Sequence, residues 1–375
     1  MKLLSIIVLS FLSISCFSQK DSLSSPLKSN LTISKYVDQE DSINRAIITT
    51  LDDFLVLRDL NQFKHWLDSD YKKYKYPFLD LFRVEYKNGT PDFFNGNLLE
   101  IIEIEKDKDY LVKIAFVGAD STGSSQLKSI YNILATLQSD KVVFSRSLNY
   151  YIKNWQKIER YPITYYISPN KTVNKQEIVK QLQDIKVLNN YFETDSITFT
   201  YYSCVSPVEL FQIKGFDYVH GMYQNKKGGL AEYGNHLFSG NKSEYYTHEI
   251  VHIYVNNLFP GSNSLLNEGI AMYFGGSGGH TYSWHKNKLE KYIENNEDFN
   301  FLEFMGAFEQ KYIDKQTSIP YMTGALIYEY VINKYDKFTY FELLKERKDI
   351  WDILKTVELT EENLNQKILN TLKNN

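Results

Sequence analysis

Residues 248–252 carry the side chains of this chain that are best suited to catalysis. They read His-Glu-Ile-Val-His, which matches the His-Glu-x-x-His pattern that binds zinc when it lies on a helix. Positions four apart share one helix face, so His248 and His252 could bind one ion at about 2.0–2.1 Å. Zinc lowers the pKa of a bound water toward about 7, and Glu249 would project beside it as the general base. The spacing therefore predicts zinc-dependent hydrolysis.

The third ligand must come from elsewhere in the chain, because a catalytic zinc ion usually has three protein ligands and one open position. The metzincin class would need glycine and a third histidine where this chain has Val255 and Leu258, so that class is excluded. Glu268 is the better candidate. Pro-Gly-Ser-Asn at 260–263 ends the first helix, and a second helix begins directly after it. A short turn between two helices would bring Glu268 against both histidines.

The segment that contains Glu268 resembles the gluzincin metallopeptidases, in particular the peptidase MA-like group related to the aminopeptidase N family. Residues 266–273 read Leu-Asn-Glu-Gly-Ile-Ala-Met-Tyr, and the family motif is Leu-Asn-Glu-Gly-x-Ala-x-Tyr. The resemblance implies that Glu268 is the third zinc ligand and that the substrate is a peptide or protein. Gly269 and Ala271 are small, so we expect them to let the two helices approach closely.

A second match to this family contains a tyrosine. Residues 321–325 read Tyr-Met-Thr-Gly-Ala and resemble the family's Tyr-x-Lys-Gly-Ala, with Thr323 in place of the lysine. In that family the tyrosine stabilises the tetrahedral intermediate, so the resemblance implies that Tyr321 donates a hydrogen bond to the developing oxyanion. A packing role for Tyr321 is the alternative, since the chain has 30 tyrosines.

A third match lies upstream of the histidines. Residues 229–233 read Gly-Leu-Ala-Glu-Tyr and resemble the family's Gly-x-Met-Glu-Asn strand, whose glutamate holds the substrate amino terminus. Glu232 would then be an amine anchor. The alternative is that 229–238 forms an edge strand that pairs with an extended peptide through its backbone.

Three other reactive side chains have two interpretations each. His280 and His285 follow Gly-Gly-Ser-Gly-Gly at 275–279, a segment that could close over a substrate. They would either line the cleft or lie exposed to solvent. Cys204 lies in the apolar run 197–205, where a buried and inert thiol is expected rather than a nucleophile.

The chemistry leaves two competing functions open. A non-catalytic binding protein on a peptidase fold could keep a structural or vestigial zinc site, although such a site needs no base like Glu249. Metal-dependent hydrolysis of another substrate, such as cell-wall peptide crosslinks, is also open. Cleavage at internal bonds and cleavage at chain ends are not distinguished by the sequence.

The N-terminus predicts export. The apolar run 3–14 follows a lysine and is too short to span a membrane, so residues 1–18 are predicted to be a secretory signal peptide. Alternatively, residues 12–16 resemble a bacterial lipobox, and Cys16 would then carry a lipid anchor. A periplasmic or secreted protein, or a membrane-anchored lipoprotein, is expected. Residues 19–34 are predicted to be a flexible leader.

Composition and charge are typical of a globular protein. The 375 residues suffice for two domains. Their 42 basic and 46 acidic side chains give a net charge of −4, which gives no reason to expect a nucleic-acid partner. If Cys16 is removed or acylated, no internal disulfide can form, so stability must come from the core and a metal.

The predicted fold class is α+β, in two domains. Residues 35–159 would form a small α+β domain that resembles the cystatin-like or NTF2-like superfamily in its order of elements. It has a helix at 41–66 and strands at 98–104, 110–117, 127–137 and 140–155. Residues 160–375 would form a zincin-type metallopeptidase domain. Its predicted elements are strands at 163–167, 196–205 and 228–238, a helix at 174–188, and further helices at 244–258, 264–274, 283–293, 301–312, 320–334, 339–347 and 361–373.

Overall fold

The computed structural model describes residues 31–57, 64–87, 90, 92–139, 141–309, 311–314 and 316–373. The predicted signal peptide 1–18 and the leader as far as residue 30 lie outside these residues. The end of the predicted leader is not flexible, because Thr32–Ile33 pair as a strand with Asn97 and Leu98. Across the described residues, no helix has both the length and the apolar character needed to cross a bilayer.

Runs of strands and runs of helices follow one another in the described chain, in agreement with the predicted α+β class. The strands are β1 (Thr32–Ile33), β2 (Asn95–Glu105), β3 (Asp109–Ala119), β4 (Ser125–Gln138), β5 (Lys141–Arg146), β6 (Gln156–Arg160), β7 (Ile163–Ile167), β8 (Phe199–Ser203), β9 (Phe216–Val219), β10 (Gly229–Glu232), β11 (His236–Ser239), β12 (Tyr312–Ile313) and β13 (Thr317–Ser318). The helices are α1 (Ser42–Leu57), α2 (Asp68–Tyr74), α3 (Leu148–Tyr151), α4 (Lys175–Phe192), α5 (Pro207–Ile213), α6 (Thr247–Leu258), α7 (Ser264–Gly275), α8 (Tyr282–Glu294), α9 (Ile319–Lys334), α10 (Lys337–Lys345), α11 (Ile350–Lys355) and α12 (Leu364–Lys373). Short 3₁₀ turns lie at Leu79–Leu81 and Phe301–Phe304.

The first sheet has the order β1-β2-β3-β4-β5, and β9 also pairs with β4. The strands β2 to β5 form an antiparallel meander, which confirms the predicted strands at 98–104, 110–117 and 127–137. Helix α1 covers this sheet, and the ring of Phe54 lies 5.8 Å from that of Phe144. The predicted helix 41–66 is wrong at its end, because Trp66 instead bridges to Phe144 of β5; residues 58–63 lie outside the described residues.

The second sheet has the order β10-β11-β8-β7-β6 and mixes parallel and antiparallel pairs. The predicted single strand 228–238 is wrong. Gly234 and Asn235 have φ values of 76° and 60°, so the chain reverses there and β10 pairs antiparallel with β11. Strand β11 is thereby interior, while β10 lies at the edge of the sheet.

Two other predicted elements end early. The predicted helix 301–312 is only a 3₁₀ turn at Phe301–Phe304, followed by a turn in which Glu309 N–H donates to Gly306 O at 3.1 Å. The predicted strand 140–155 is wrong beyond Arg146, the last residue that pairs with β4. The chain then forms α3.

The two halves of the chain exchange elements. The predicted boundary between 159 and 160 falls within the β6–β7 hairpin. Strand β9 belongs to the second half, yet it completes the first sheet, and the ring of Phe216 lies 4.7 Å from that of Tyr131. Helix α5 also packs into this core through Phe211. The first core therefore includes residues from both predicted domains.

Helix α7 touches its neighbours α6 and α9 through glycine. A Cβ atom at Gly275 would lie 2.2 Å from the backbone nitrogen of His248 in α6. One at Gly269 would lie 2.3 Å from the backbone of Gly324 in α9. The expectation that Gly269 faces the first histidine helix is wrong, since Gly275 makes that contact. The three helices can approach this closely because glycine has no side chain at these positions.

Gly324→Ala should destabilise the protein. The added Cβ would lie 2.4 Å from Leu265 O and 3.0 Å from the Cα atom of Gly269, so α7 and α9 must separate. Overpacking of this kind costs about 1–3 kcal/mol, measurable by urea denaturation. Gly306→Ala is the matched control, because its nearest neighbour is the flexible side chain of Glu309. Equal stability of the two variants would contradict the tight helix contact.

Candidate metal centre

The N-terminus of α6 is fixed by contacts from α4 rather than by a cap of its own. The backbone N–H of Tyr246 donates to Gln181 Oε1 at 2.6 Å. The hydroxyl of Thr247 donates to Asp184 Oδ2, also at 2.6 Å. The helix is buried from Thr247 to Val255. Its first turns, which carry both histidines, are therefore anchored to α4.

Each histidine is oriented by a hydrogen bond at Nδ1. His248 Nδ1 lies 2.8 Å from the carbonyl oxygen of Gly276, and His252 Nδ1 lies 2.8 Å from Asn267 Oδ1. Both partners are acceptors, so each Nδ1 carries the proton and donates. This arrangement leaves each Nε2 as the atom that can bind a metal.

Glu268 projects from α7 toward these Nε2 atoms. Its Oε2 atom lies 3.3 Å from His248 Nε2 and 3.5 Å from His252 Nε2. Ligands about 2.0–2.1 Å from a tetrahedral zinc ion stand about 3.3–3.4 Å apart, so both distances match tetrahedral edges. The three ligand atoms lie within 4.8 Å of one another and all three residues are buried. The group predicted from the sequence is therefore assembled in the fold and can hold a metal ion.

Electrostatics favour a cation at this position. Burial disfavours a charged imidazole, but the Glu268 carboxylate outweighs that effect and raises the pKa of His252 to about 9. Burial would likewise raise the pKa of Glu268, yet the two histidines hold it well below its ordinary value. The carboxylate is thus ionised inside a buried site, where its charge stabilises positive charge strongly.

Glu249 lies beside the two histidines, next to a tyrosine that sequence reasoning missed. The Glu249 side chain is buried, and Glu249 and Asn241 both affect the pKa of the Tyr246 hydroxyl. Burial and the charge of Glu249 raise the pKa of Tyr246 well above its ordinary value, so this hydroxyl keeps its proton. Tyr246 stands two residues before His248, but nothing in its sequence context separates it from the chain's other tyrosines.

Tyr321 lies beside His248. The two rings stack with centroids 5.9 Å apart and an interplanar angle of 20°. Burial, then the charges of Glu268 and Glu249, raise the pKa of Tyr321 well above its ordinary value. The hydroxyl is therefore a neutral donor near the centre. Thr323 is buried and donates to Ile319 O at 3.0 Å, so it does not extend toward the metal ligands.

The remaining candidates serve other roles in the fold. His285 is fully buried, contrary to the exposed alternative, with Nδ1 2.8 Å from Thr317 Oγ1 and Nε2 3.0 Å from Ser277 O. His280 stacks on Trp284 at 3.8 Å. Cys204 is buried as predicted, and burial raises the pKa of its thiol. Glu232 is bonded to two cations away from the metal ligands.

Known proteins give no independent assignment of this centre. Comparisons of the chain with protein-family models, with curated proteins and with solved structures found no match. The functional interpretation thus depends on the residues and their geometry.

Asn267→Ala should weaken zinc binding while leaving the three ligands in place. Loss of the acceptor at His252 Nδ1 frees that ring to rotate, and such partners typically contribute about 10- to 100-fold in metal affinity. Competition with a chromophoric chelator measures the change. Asn257→Ala is the matched control, because Asn257 is exposed on α6 and bonds to Asn235 instead. Equal zinc affinity in both variants would contradict the orienting role.

Proposed function

We propose that the protein is an exported zinc-dependent peptidase of the gluzincin type. The observation that carries the proposal is the convergence of His248 Nε2, His252 Nε2 and Glu268 Oε2, with Glu249 and Tyr321 beside them. Two imidazole nitrogens and one carboxylate oxygen are the donor set of catalytic zinc sites with a fourth, open position. Donors of this mixed kind suit zinc better than calcium or magnesium, which take all-oxygen sites.

The residues of the centre can divide the work of peptide hydrolysis among them. A zinc ion held by His248, His252 and Glu268 would polarise the substrate carbonyl and acidify water. Glu249 accepts a proton from the attacking water and delivers it to the amine nitrogen as the C–N bond breaks. The water oxygen becomes part of the new carboxylate. The Tyr321 hydroxyl donates to the carbonyl oxygen as negative charge develops on it.

Strand β10 is the element suited to hold the substrate. It contacts α6 and lies at the edge of the second sheet, where within the described residues it pairs on one side only, with β11. Gly229 brings the strand against Tyr246, two residues before His248, because a Cβ atom there would lie 2.4 Å from the Tyr246 ring. An extended peptide could pair with this edge through its backbone, as the edge-strand alternative anticipates.

The proposal extends to the domain architecture and to the export of the protein. We infer a zincin-type unit built on the second sheet, α6, α7 and α9. The helix-covered meander of the first sheet is consistent with a cystatin-like or NTF2-like unit. Export, by secretion or as a lipoprotein anchored at Cys16, rests on the sequence of residues 1–18.

Glu249→Gln should abolish peptide hydrolysis and keep one zinc ion per chain. The amide has nearly the same shape as the carboxylate but cannot accept the proton from water. Turnover of a mixed peptide library and metal analysis on the same samples provide the measurements. Glu294→Gln, an exposed change on α8, is the control and should retain full activity.

Full activity of Glu249→Gln would contradict the mechanism. Stoichiometric zinc in the native chain without turnover of any peptide would instead favour the non-catalytic binding protein.

Tyr321→Phe should lower kcat with little effect on KM or zinc content. The change removes only the hydroxyl, and one oxyanion donor is worth about 10²- to 10³-fold in kcat. Steady-state kinetics on a cleaved peptide supply the measurement. Tyr223→Phe makes the same chemical change on a side chain that is 64% exposed, and should behave as wild type. An unchanged kcat in Tyr321→Phe would leave this tyrosine with a packing role.

A further inference from the structure

Glu232 belongs to a cluster of four charged side chains between the two sheets. Its Oε2 atom lies 2.8 Å from Arg146 Nη1, and its Oε1 atom accepts a hydrogen bond from Lys214 Nζ. Asp80 closes the cluster, with Oδ1 3.1 Å from Lys214 Nζ and Oδ2 3.8 Å from Arg146 Nη2. Two cations and two anions therefore meet at the end of β10.

The cluster is too deeply buried for Glu232 to exchange partners easily. The side chains of Arg146 and Lys214 are 3% and 2% exposed, and that of Glu232 is 12% exposed. Arg146 also lies over the ring of Tyr74, at 4.8 Å from its centroid. Turning Glu232 toward a ligand would leave Asp80 alone in this cluster to offset the charge of two buried cations, which is strongly unfavourable. Glu232 is therefore committed to the interior.

Glu232 therefore cannot be the amine anchor that the resemblance to the aminopeptidase N family implies. A protonated substrate amino terminus, once bound in the cleft, needs a carboxylate to offset its lost hydration. Two other carboxylates, those of Glu249 and Glu268, are buried at the metal centre. Glu268 is a metal ligand and Glu249 is the base. Neither can bind an amine and keep that role.

The same cluster holds β10 in place at the edge of the second sheet. This edge is suited to bind the backbone of a peptide. Its Glu232 end is clamped to Arg146 of β5, while its Gly229 end lies against Tyr246 beside the metal centre. The three steps between these residues span about 10 Å of extended strand. A peptide paired with this edge would extend from the metal centre along the strand.

We propose that the protein is an endopeptidase whose substrates are extended peptides held through their backbone at β10, with no requirement for a free amino terminus. The proposal rests on the proposed peptidase function and adds the class of substrate. Glu232 is a positioning residue in it, which holds the edge strand and contacts no substrate.

The test compares two matched sets of unlabelled synthetic peptides of mixed sequence, one with free and one with acetylated amino termini. The zinc-loaded full chain is incubated with each set, and mass spectrometry gives the cleavage sites and rates. Glu249→Gln run in parallel reports contaminating peptidases. We expect acetylated and free forms to be cut at the same internal bonds at similar rates.

Two other results would count against the proposal in distinguishable ways. A bond between an amine and a carboxylate is worth about tenfold to a hundredfold, so a loss of that size on acetylation would reveal an amine anchor. Release of single N-terminal residues would accompany it. That result overturns the endopeptidase proposal and leaves the peptidase function standing. Absence of cleavage in both sets by zinc-loaded protein overturns the peptidase function, and the endopeptidase proposal with it.

Discussion

The candidate metal centre depends on the contact of helix α7 with its two neighbours through backbone rather than side chains. Gly275 lies against the backbone of His248, and Gly269 lies against Gly324. Glu268 directly precedes Gly269 on α7, so its distance from both imidazoles is set by the packing of three helices. The same packing sets the position of Tyr321 on α9. A ligand, the two histidines and the candidate oxyanion donor are thus placed by one helix arrangement.

Hydrogen bonds then orient the two histidine rings that the helix packing has positioned. Asn267 directly precedes Glu268, and Gly276 follows the last residue of α7. The Asn267 side chain orients the ring of His252, and the Gly276 carbonyl orients the ring of His248. Helix α7 therefore provides a ligand and also orients the other two. Rigid support of this kind maintains the geometry that a catalytic metal needs.

Sequence reasoning was most successful where chemistry and short-range spacing coincide. The two histidines four apart on α6 and the glutamate after the Pro-Gly turn meet as predicted, because helix geometry and one short turn determine their distance. Contacts between segments distant in sequence were not predictable in this way. The partners of Glu232 are Arg146 and Lys214, 86 and 18 residues away, and no local pattern in the sequence indicates them. The reversal at Gly234 and the short helix α11, capped by Asp349, were also missed.

Diffraction at the zinc absorption edge, from crystals of the purified protein grown with excess zinc, would locate the metal. We expect one anomalous peak, within about 2.0–2.2 Å of His248 Nε2, His252 Nε2 and a carboxylate oxygen of Glu268. Zinc bound at other residues, or no zinc between these three in crystals grown with excess zinc, would contradict this expectation.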